Sequence, residues 1–566
     1  MTSLTFDDAA VRAWIDDDPD PTTAQELSDL LAAAEGGDEA ASADLADRFS
    51  GTLQFGTAGL RGALGGGPNR MNRAVVMRAA AGLVAYLRNE IGDGFVVTIG
   101  YDARYGSKQF ATDTAAIVTA AGGIAHLMPR TLPTPVLAFS VLDLDADAGV
   151  MVTASHNPPQ DNGYKVYLGG RMVEATARGA QIVSPHDARI AEQIAKVERV
   201  ADIERAEDGW HTIGEDLIDR YVARVSSMVP QGRAGSLKVV LTAMHGVGAE
   251  TCMRALTDAG FTDVHLVKEQ AEPDPDFPTV NFPNPEEPGA LDLSFALAKK
   301  IGADLIIAND PDADRCSAAI PTRAGSWRQL SGDEVGQLLG EQAARLAAAS
   351  GKGVLACSIV SSRMLGAIAA SHGLTHAQTL TGFKWISRVP GLTFGYEEAL
   401  GYCCDPNYVR DKDGISASVK LCLLASDLAD RGLTLEDQLD QLSARHGVHA
   451  TNPLTVRVKD LSLIADAMAK LRTGGLTELA GSPIVETVDL AEGSESLPPT
   501  DGMRFVTEAN DRVIVRPSGT EPKLKCYLES VEPVPNQNLD LVPQAREAAA
   551  RRVAQVKADL AAFLGV

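Results

Sequence analysis

The stretch Ala148-Gly-Val-Met-Val-Thr-Ala-Ser-His-Asn-Pro-Pro-Gln-Asp-Asn-Gly-Tyr-Lys-Val-Tyr167 governs the reading of the whole chain. Its opening apolar residues read as a buried strand, and the polar residues that follow end it and present the Ser155 hydroxyl at a sheet edge. Asn157-Pro158-Pro159 can neither continue a ladder nor begin an ordinary helical turn. Proline lacks a backbone donor and drives its predecessor towards extended geometry. Ser155 is therefore expected at a sharp bend, to which Lys165 can return. Ser155 is a candidate phosphoryl carrier, and the plain alternative is a serine that caps a turn before Asn-Pro. A serine hydroxyl is a weak nucleophile that needs a base or a metal. Lys165 could act as acid or base if surrounding cations depress its pKa. His156 adjoins the serine, but adjacency does not aim its ring at the hydroxyl. Hydrogen bonding within the turn is the role read for it, and it is kept with Ser155 and Lys165 among the candidate catalytic residues.

Outward from this stretch, helical and strand periodicities alternate. Residues 72–91 and 107–121 read as helices around a strand at 95–100. The pattern restarts with a helix at 214–225, strands at 237–241, 263–267 and 304–308, a turn at 244–248 and a helix at 291–301. A third round carries a strand at 353–358. Such alternation predicts α/β layers. Beyond about residue 450 it changes: strands at 455–458, 512–515 and 523–528 with helices at 461–471 and 543–564 read as α+β, and 486–501 as a loop or β excursion. The first fifty residues are acidic and alanine-rich, with an amphipathic helix near 23–31, and read as a decorating segment.

Four further stretches carry chemistry. Asp310-Pro-Asp-Ala-Asp-Arg315 follows an apolar strand, and Asp310, Asp312 and Asp314 can converge on one cation; hard oxygen ligands suit Mg²⁺. An EF-hand loop would need glycine where Arg315 stands and glutamate where Pro321 stands, so that reading fails. An aspartyl-phosphate nucleophile and a solvated acidic turn remain as alternatives. Arg516-Pro-Ser-Gly-Thr-Glu-Pro-Lys523 supplies a guanidinium fork in Arg516, hydroxyls in Ser518 and Thr520, an exposed amide at Gly519 and the ammonium of Lys523. Those groups suit a phosphate dianion, with a proline-glycine hairpin as the bland reading. Glu397 and Glu398 in Gly395-Tyr-Glu-Glu-Ala-Leu-Gly401 can each accept sugar hydroxyls, against a merely solvated loop. Phe55-Gly-Thr-Ala-Gly-Leu-Arg-Gly62 lets backbone amides and Arg61 approach an anion, or is a plain glycine turn. Lys384 in Thr381-Gly-Phe-Lys-Trp385 and Lys412 in Arg410-Asp-Lys-Asp-Gly414 are individually unremarkable but join the substrate-binding candidates.

A chain of 566 residues exceeds one core and implies roughly three to five domains. With 75 acidic against 51 basic side chains, its net charge of −24 repels nucleic acid and anionic membrane surfaces. A phosphorylated small molecule stays compatible, given a local cationic pocket. The seven cysteines form no CxxC pair and fit a reducing compartment. No basic-then-apolar leader opens the sequence and no apolar run reaches the ~18 residues of a membrane helix, so the cytoplasm is expected.

Thr153-Ala-Ser-His-Asn-Pro158, the aspartate loop, Gly395-Tyr-Glu-Glu-Ala399 and Arg516-Pro-Ser-Gly-Thr-Glu-Pro522, in that order, resemble the four signature loops of the α-D-phosphohexomutase superfamily, the phosphoglucomutases and phosphomannomutases. The resemblance runs from about Phe55 to the final helix. It implies three related α/β domains and a C-terminal α+β phosphate-binding domain around a central cleft. The boundaries expected are 1–208, including the 1–50 extension, 209–328, 329–448 and 449–566. It further implies that Ser155 is the phosphoserine and that Asp310, Asp312 and Asp314 hold one Mg²⁺ together with the phosphate on Ser155. Lys165 and Arg315 would assist transfer, Glu397 would contact sugar hydroxyls, and Arg516, Ser518, Gly519, Thr520 and Lys523 would grip the non-reacting phosphate. The implied reaction interconverts glucose 1-phosphate and glucose 6-phosphate, with mannose phosphates as further substrates, through a bisphosphate. Glucose 1,6-bisphosphate is the implied activator. Small sugar phosphates are the expected partners of a monomer or homodimer.

One departure bears on the substrate. Many hexomutases carry serine two places after the first glutamate of the sugar loop, where this chain has Ala399. Together with Thr381-Gly-Phe-Lys-Trp385 and Arg410-Asp-Lys-Asp-Gly414, the alanine is similar to the branch that includes phosphopentomutases and glucose-1,6-bisphosphate synthases. An aspartate-nucleophile phosphatase and a non-catalytic sugar-phosphate-binding protein are the readings from other classes.

Overall fold

The apolar runs at Val96–Tyr101 and Ala148–Val152 become strands buried on both faces. In the computed structural model, which describes residues 6–56, 59–458, 462–495, 497–518 and 523–566, Val96–Tyr101 pairs parallel with both Ile124–Leu127 and Ala148–Val152. Asp161–Leu168 returns antiparallel beside Ala148–Val152, with Lys165 opposite Met151. Leu60–Ala63 pairs on the outer side of Asp161–Leu168 and sets Arg61 opposite Gly163. A Cβ on Gly163 would lie 2.6 Å from the Thr153 carbonyl oxygen and 2.9 Å from that of Leu60, so only glycine admits this approach. Helices Arg73–Ile91, Ser107–Ala120 and Thr134–Asp143 belong to the same layer. Asn72 caps the first through the Val75 amide.

The acidic amino-terminal segment is more ordered than a decoration. Helices Asp8–Asp17, Pro21–Glu35 and Glu39–Arg48 are capped by Asp7, Asp20 and Asp38 and share a small core of Val11, Leu27, Leu31 and Leu45. Arg78 ties them to the layer through Asp17, and Arg73 through the Pro19 carbonyl.

A second sheet places Val239–Thr242 between Val264–Leu266 and Leu305–Asn309, all parallel. Cys316–Pro321 then folds back antiparallel on Leu305–Asn309, so the aspartate loop is the bend of a hairpin. These two layers and the segment Gly401–Ser426 form one unit that runs to Leu330.

The other unit comprises Ser331–Leu400 and Asp427–Val566. Val354–Ser358 lies between parallel Thr375–Thr379 and Leu392–Glu397. A capping box of Ser331 and Glu334 starts the helix Gly332–Ser350. Its antiparallel sheet runs in the order Val448–Arg457, Lys523–Glu532, Arg512–Pro517, Met503–Thr507, Ser482–Asp489 and Glu478–Leu479. Ile464, Met468 and Leu471 of one helix and Val553, Val556 and Leu560 of another pack on Val513, Val515, Leu524 and Leu528, the expected α+β layer. The first strand is longer than the 455–458 read from sequence because Pro453, which argues against a central strand, sits on an edge strand. The 486–501 stretch begins as the end of the strand Ser482–Asp489 and continues into a short 3₁₀ turn, Leu490–Glu492. Among the described residues no helix is long and apolar enough to cross a membrane.

Glu529 pins this unit together. Its carboxylate accepts hydrogen bonds from Arg363 Nε (2.6 Å), the Arg363 amide (2.8 Å) and Ser362 Oγ (2.8 Å), and Arg512 lies 3.2 Å away. Burial opposes its ionisation, but Arg512, His449 and Arg363 hold it well below the usual carboxylate range. Glu529→Gln should cost about 3–5 kcal/mol, because buried Arg512 and half-buried Arg363 lose their counter-charge. The wild-type contribution is complete above the ordinary glutamate value of about 4.3 and is lost as pH falls towards the depressed folded value. Urea unfolding of both proteins across acid pH should therefore show their midpoints converging as pH falls.

Candidate active site

The serine bend is as sharp as its prolines require. Thr153 Oγ1 accepts from the Ser155 amide (2.9 Å) and the Asn157 amide donates to the Ala154 carbonyl (3.1 Å). Between them Ser155 adopts φ +51°, a left-handed conformation that costs a non-glycine residue about 1–3 kcal/mol. The side chain is 3% exposed, and its Oγ donates to Asp310 Oδ2 at 2.8 Å. His156 Nδ1 lies 3.2 Å from the same Oγ. The ring is thus aimed at the hydroxyl, which corrects the turn-bonding role read from sequence. The left-handed turn at Ser155 swings the two side chains together.

The aspartate loop turns through Ala313 at φ +53°. Asp310 Oδ1 accepts from the Arg315 amide (3.0 Å), which fixes its carboxylate. The turn at 244–248 supports the loop from behind: a Cβ on Gly246 would stand 2.3 Å from Pro311 Cα, and the Val247 amide donates to the Pro311 carbonyl (2.8 Å).

Lys165 Nζ donates to Asp312 Oδ2 (2.7 Å) and Asp314 Oδ2 (2.9 Å), and Thr134 Oγ1 also donates to Asp312 Oδ2 (2.6 Å). Lys412 lies 3.1 Å from Asp314 Oδ2 and 3.3 Å from Asp411 Oδ1, and Asp411 is held in turn by Tyr167 and Gln181. The 410–414 loop thereby returns a second ammonium to the cluster.

Burial, and then the charges of Asp312 and Asp314, push the Asp310 carboxyl well above its ordinary value. Burial acts the same way on Asp312, but Lys165 and Thr134 outweigh it and hold that carboxyl below the usual range. For Lys165, burial favours the neutral amine and the two aspartates reverse it, so its pKa is raised. The condition under which Lys165 could act as a base, depression by surrounding cations, is therefore not met. Lys165 is a cation, suited to neutralising charge or donating a proton. Acceptor oxygens of Asp310, Asp312 and Asp314 all lie within 4.8 Å of one another, and Asp312 Oδ1 and Asp314 Oδ1 are buried without a hydrogen-bond partner. A hard divalent cation would satisfy those oxygens and relieve the crowded charge, so the residues fit Mg²⁺.

Arg315 Nε is 3.9 Å from Asp314 Oδ1. Arg61, exposed, donates to Asn157 Oδ1 in the serine loop (3.3 Å). Ser155, His156, Lys165, the three aspartates, Arg315 and Lys412 are therefore joined by direct contacts in the first unit, and Arg61 reaches the serine loop through Asn157.

In the other unit, Glu397 Oε1 accepts from the Gly382 amide (2.6 Å), and the neighbouring Thr381 Oγ1 accepts from Arg516. Thr381-Gly382 thus links the predicted sugar-reading and phosphate-binding groups. Glu398 is not a solvated loop residue, since its Oε2 accepts from Ser361 (2.8 Å) and Ser358 (3.3 Å). Lys384 Nζ lies 5.9 Å from the Trp385 ring centroid. The Ser518 amide donates to the Lys523 carbonyl (2.8 Å), which closes the mouth of the hairpin loop. Gly519 and Thr520, like Thr57 and Ala58 of the first glycine turn, lie outside the described residues. Sequence reading missed Thr134, Tyr527 and Arg104. The Tyr527 hydroxyl is pushed up by burial and by Glu398, and down by Arg516. Thr134 carries no signal in the sequence, whereas Arg104 follows a buried strand in Asp102-Ala103-Arg104.

The sequence matches the descriptions "Phosphoglucomutase/phosphomannomutase, alpha/beta/alpha domain I" over residues 52–201, domain II over 219–324, domain III over 331–446 and the C-terminal domain over 454–540. The chain belongs to the phosphoglucomutase/phosphomannomutase family. This family member is 46% identical over 462 residues, 81% of this chain and 93% of the other, to a Haemophilus influenzae "Probable phosphomannomutase". It is 34% identical to a mouse phosphopentomutase, over 94% of this chain and 91% of that one. To a human glucose 1,6-bisphosphate synthase it is also 34% identical, over 92% and 89%. The Paramecium phosphoglucomutase pp63/parafusin shares the mutase fold with a TM-score of 0.68 at 19% identity, covering 91% of this chain and 96% of that one. A Burkholderia thailandensis phosphoglucomutase/phosphomannomutase family protein gives 0.65 at 21%, over 88% and 97%. The chain is accordingly a sugar-phosphate mutase, and its acidic triad could hold a metal ion, which fits the family.

Proposed function

We propose that the chain interconverts glucose 1-phosphate and glucose 6-phosphate, and takes mannose phosphates as well, by passing a phosphoryl group through Ser155. The observation that carries this reading is the Ser155 hydroxyl, strained into a left-handed bend and held 2.8 Å from Asp310 within a buried triad of carboxylates. Transfer from phosphorylated Ser155 breaks its P–Oγ bond and forms a P–O bond to the free sugar hydroxyl. That hydroxyl loses its proton, and the serine oxygen ends as a hydroxyl. The bisphosphate turns end for end and returns its other phosphoryl group to Ser155, giving the isomeric monophosphate. Glucose 1,6-bisphosphate would load an unphosphorylated enzyme in the same way, which makes it the activator.

Asp310, Asp312, Asp314 and the phosphate on Ser155 would hold Mg²⁺, which supplies neutralisation of the charge carried by the transferring group. His156 Nδ1 stands where it can exchange a proton with Ser155 Oγ. Lys165 and Arg315 add fixed positive charge, and Lys412 and Arg61 extend it towards the substrate. Glu397 and Glu398 would accept sugar hydroxyls with Lys384 beside them, and Arg516, Ser518, Gly519, Thr520 and Lys523 would bind the phosphate that is not being transferred. Arg516→Ala should weaken substrate binding by about 2–3 kcal/mol, roughly 30- to 150-fold in kcat/KM. Unchanged kinetics would leave the loop a plain hairpin. The cysteines are all free, in keeping with a reducing cytoplasm.

Ala399 favours a second reading, a pentose phosphate substrate, because the side chain offers no hydroxyl to a hexose. Steady-state rates on glucose, mannose, ribose and deoxyribose 1-phosphates separate the two. The first reading expects the highest kcat/KM with a hexose, and a clear preference for ribose or deoxyribose would replace it with the second.

A further inference from the structure

We propose that Arg104 is the positioning residue that holds Ser155 in its reactive geometry, and that Phe277 locks the Arg104 guanidinium in place. The proposal rests on the reading of Ser155 as the phosphoryl carrier. Arg104 is 4% exposed and lies wholly behind the serine loop. Its Nη2 donates to the carbonyls of Ser155 (2.7 Å) and Asn157, and its Nη1 to those of Pro158 (2.8 Å) and Asp161 (3.1 Å). Four carbonyls of one loop thus converge on the two terminal nitrogens of one planar group. Pro158 and Pro159 explain the need. They contribute no amide hydrogens, so the loop has few donors of its own: its Asp161 amide reaches the Pro158 carbonyl (3.1 Å), and Arg104 supplies side-chain donors to the carbonyls of Ser155, Asn157, Pro158 and Asp161.

The fork is itself fixed from two sides. Nε stands 3.5 Å from Asp102 Oδ2, while Asp102 Oδ1 accepts from the Arg104 amide (3.0 Å) and Ser107 Oγ (2.7 Å). The Phe277 ring covers the guanidinium at 5.0 Å from its centroid; Phe277 is buried and adopts φ +47°. Phe277 follows the strand Val264–Leu266 of the layer that carries the aspartate loop. Arg104 therefore joins the backbone of the nucleophile loop to the layer that supplies its metal ligands. It touches neither Ser155 Oγ nor Asp310, Asp312 or Asp314 by hydrogen bond, so its action runs through the Ser155 backbone. Lysine has one nitrogen and three hydrogens and cannot span four carbonyls in a plane.

The test is the rate at which glucose 1,6-bisphosphate with Mg²⁺ loads phosphate onto Ser155, followed by intact mass in rapid-quench samples of wild type, Arg104→Lys and Phe277→Leu. Misplacing a reacting group by about 1 Å costs on the order of 100-fold, so Arg104→Lys should load about 100-fold more slowly, with KM for glucose 1-phosphate little changed. Phe277→Leu keeps the core filled and should load about 10-fold more slowly, which preserves the test if the arginine variant fails to fold. A merely structural role would lower the melting temperature and leave the loading rate of the folded fraction at the wild-type value, and that result overturns the proposal. Wild type that loads together with variants that match it would sink the role of Arg104 alone. Wild type that never loads would remove the phosphoserine reading and this inference with it.

Discussion

Ser155→Ala should reduce kcat for sugar-phosphate isomerisation by on the order of 10⁴-fold or more, the scale for deleting a covalent nucleophile. The substitution removes a hydroxyl that makes one hydrogen bond to Asp310 and one close approach to His156. The Arg104 contacts use the Ser155 carbonyl, which alanine retains, so the loop and the melting temperature should survive. The comparison with Asp310→Asn then separates two chemistries. An aspartate-nucleophile phosphatase would keep phosphate release in Ser155→Ala and lose it in Asp310→Asn. In this chain Asp310 accepts from Ser155 through one oxygen and from the Arg315 amide through the other, an acceptor's arrangement that poises the serine rather than the aspartate. Assays of isomerisation and of free phosphate on both variants give the answer. Full isomerase activity in Ser155→Ala would end the proposed mechanism.

Lys165→Met should destabilise the protein by about 3–5 kcal/mol in the absence of metal, because Asp312 and Asp314 stay buried while their closest cation disappears. The two aspartates outweigh burial and raise the folded-state pKa of Lys165. Its contribution is therefore complete below the unfolded lysine value of about 10.4 and is lost only as pH rises through the folded value. At neutral pH the wild type has it in full. Saturating Mg²⁺ should restore part of the loss, since the same carboxylates would gain a divalent counter-charge. Thermal unfolding of both proteins with and without Mg²⁺ measures this, and the melting temperature of the variant should respond more steeply. No Mg²⁺ response in either protein would separate the triad from metal binding.

Much of this was legible in the sequence because the chemistry sits in local signals. An apolar run followed by Ser155 and a double proline demands a bend, and the bend is there. Alternating aspartates after a strand converge, and the α+β character of the final layer follows from its changed periodicity. What escaped depends on contacts far apart in the chain. Arg104 reaches four carbonyls more than fifty residues away, and nothing in Asp102-Ala103-Arg104 says where the guanidinium goes. The sign of the Lys165 shift depends on which charges surround it, and two aspartates from a distant hairpin determine it. The aim of the His156 ring depends on a backbone angle that composition does not encode. Pro453 masked a strand because its edge position is a property of the assembled sheet. Docking of the amino-terminal helices through Arg73 and Arg78 was hidden for the same reason, since exposed-looking arginines find their acceptors only in the fold.

The central claim is that Ser155 carries the phosphoryl group. The most direct measurement is the intact mass of the full chain after incubation with glucose 1,6-bisphosphate and Mg²⁺, with peptide mapping to locate any added group. One phosphate on Ser155, absent from Ser155→Ala and lost on addition of excess sugar monophosphate, is the predicted result. An unmodified Ser155 in an enzyme that still isomerises its substrate would contradict it.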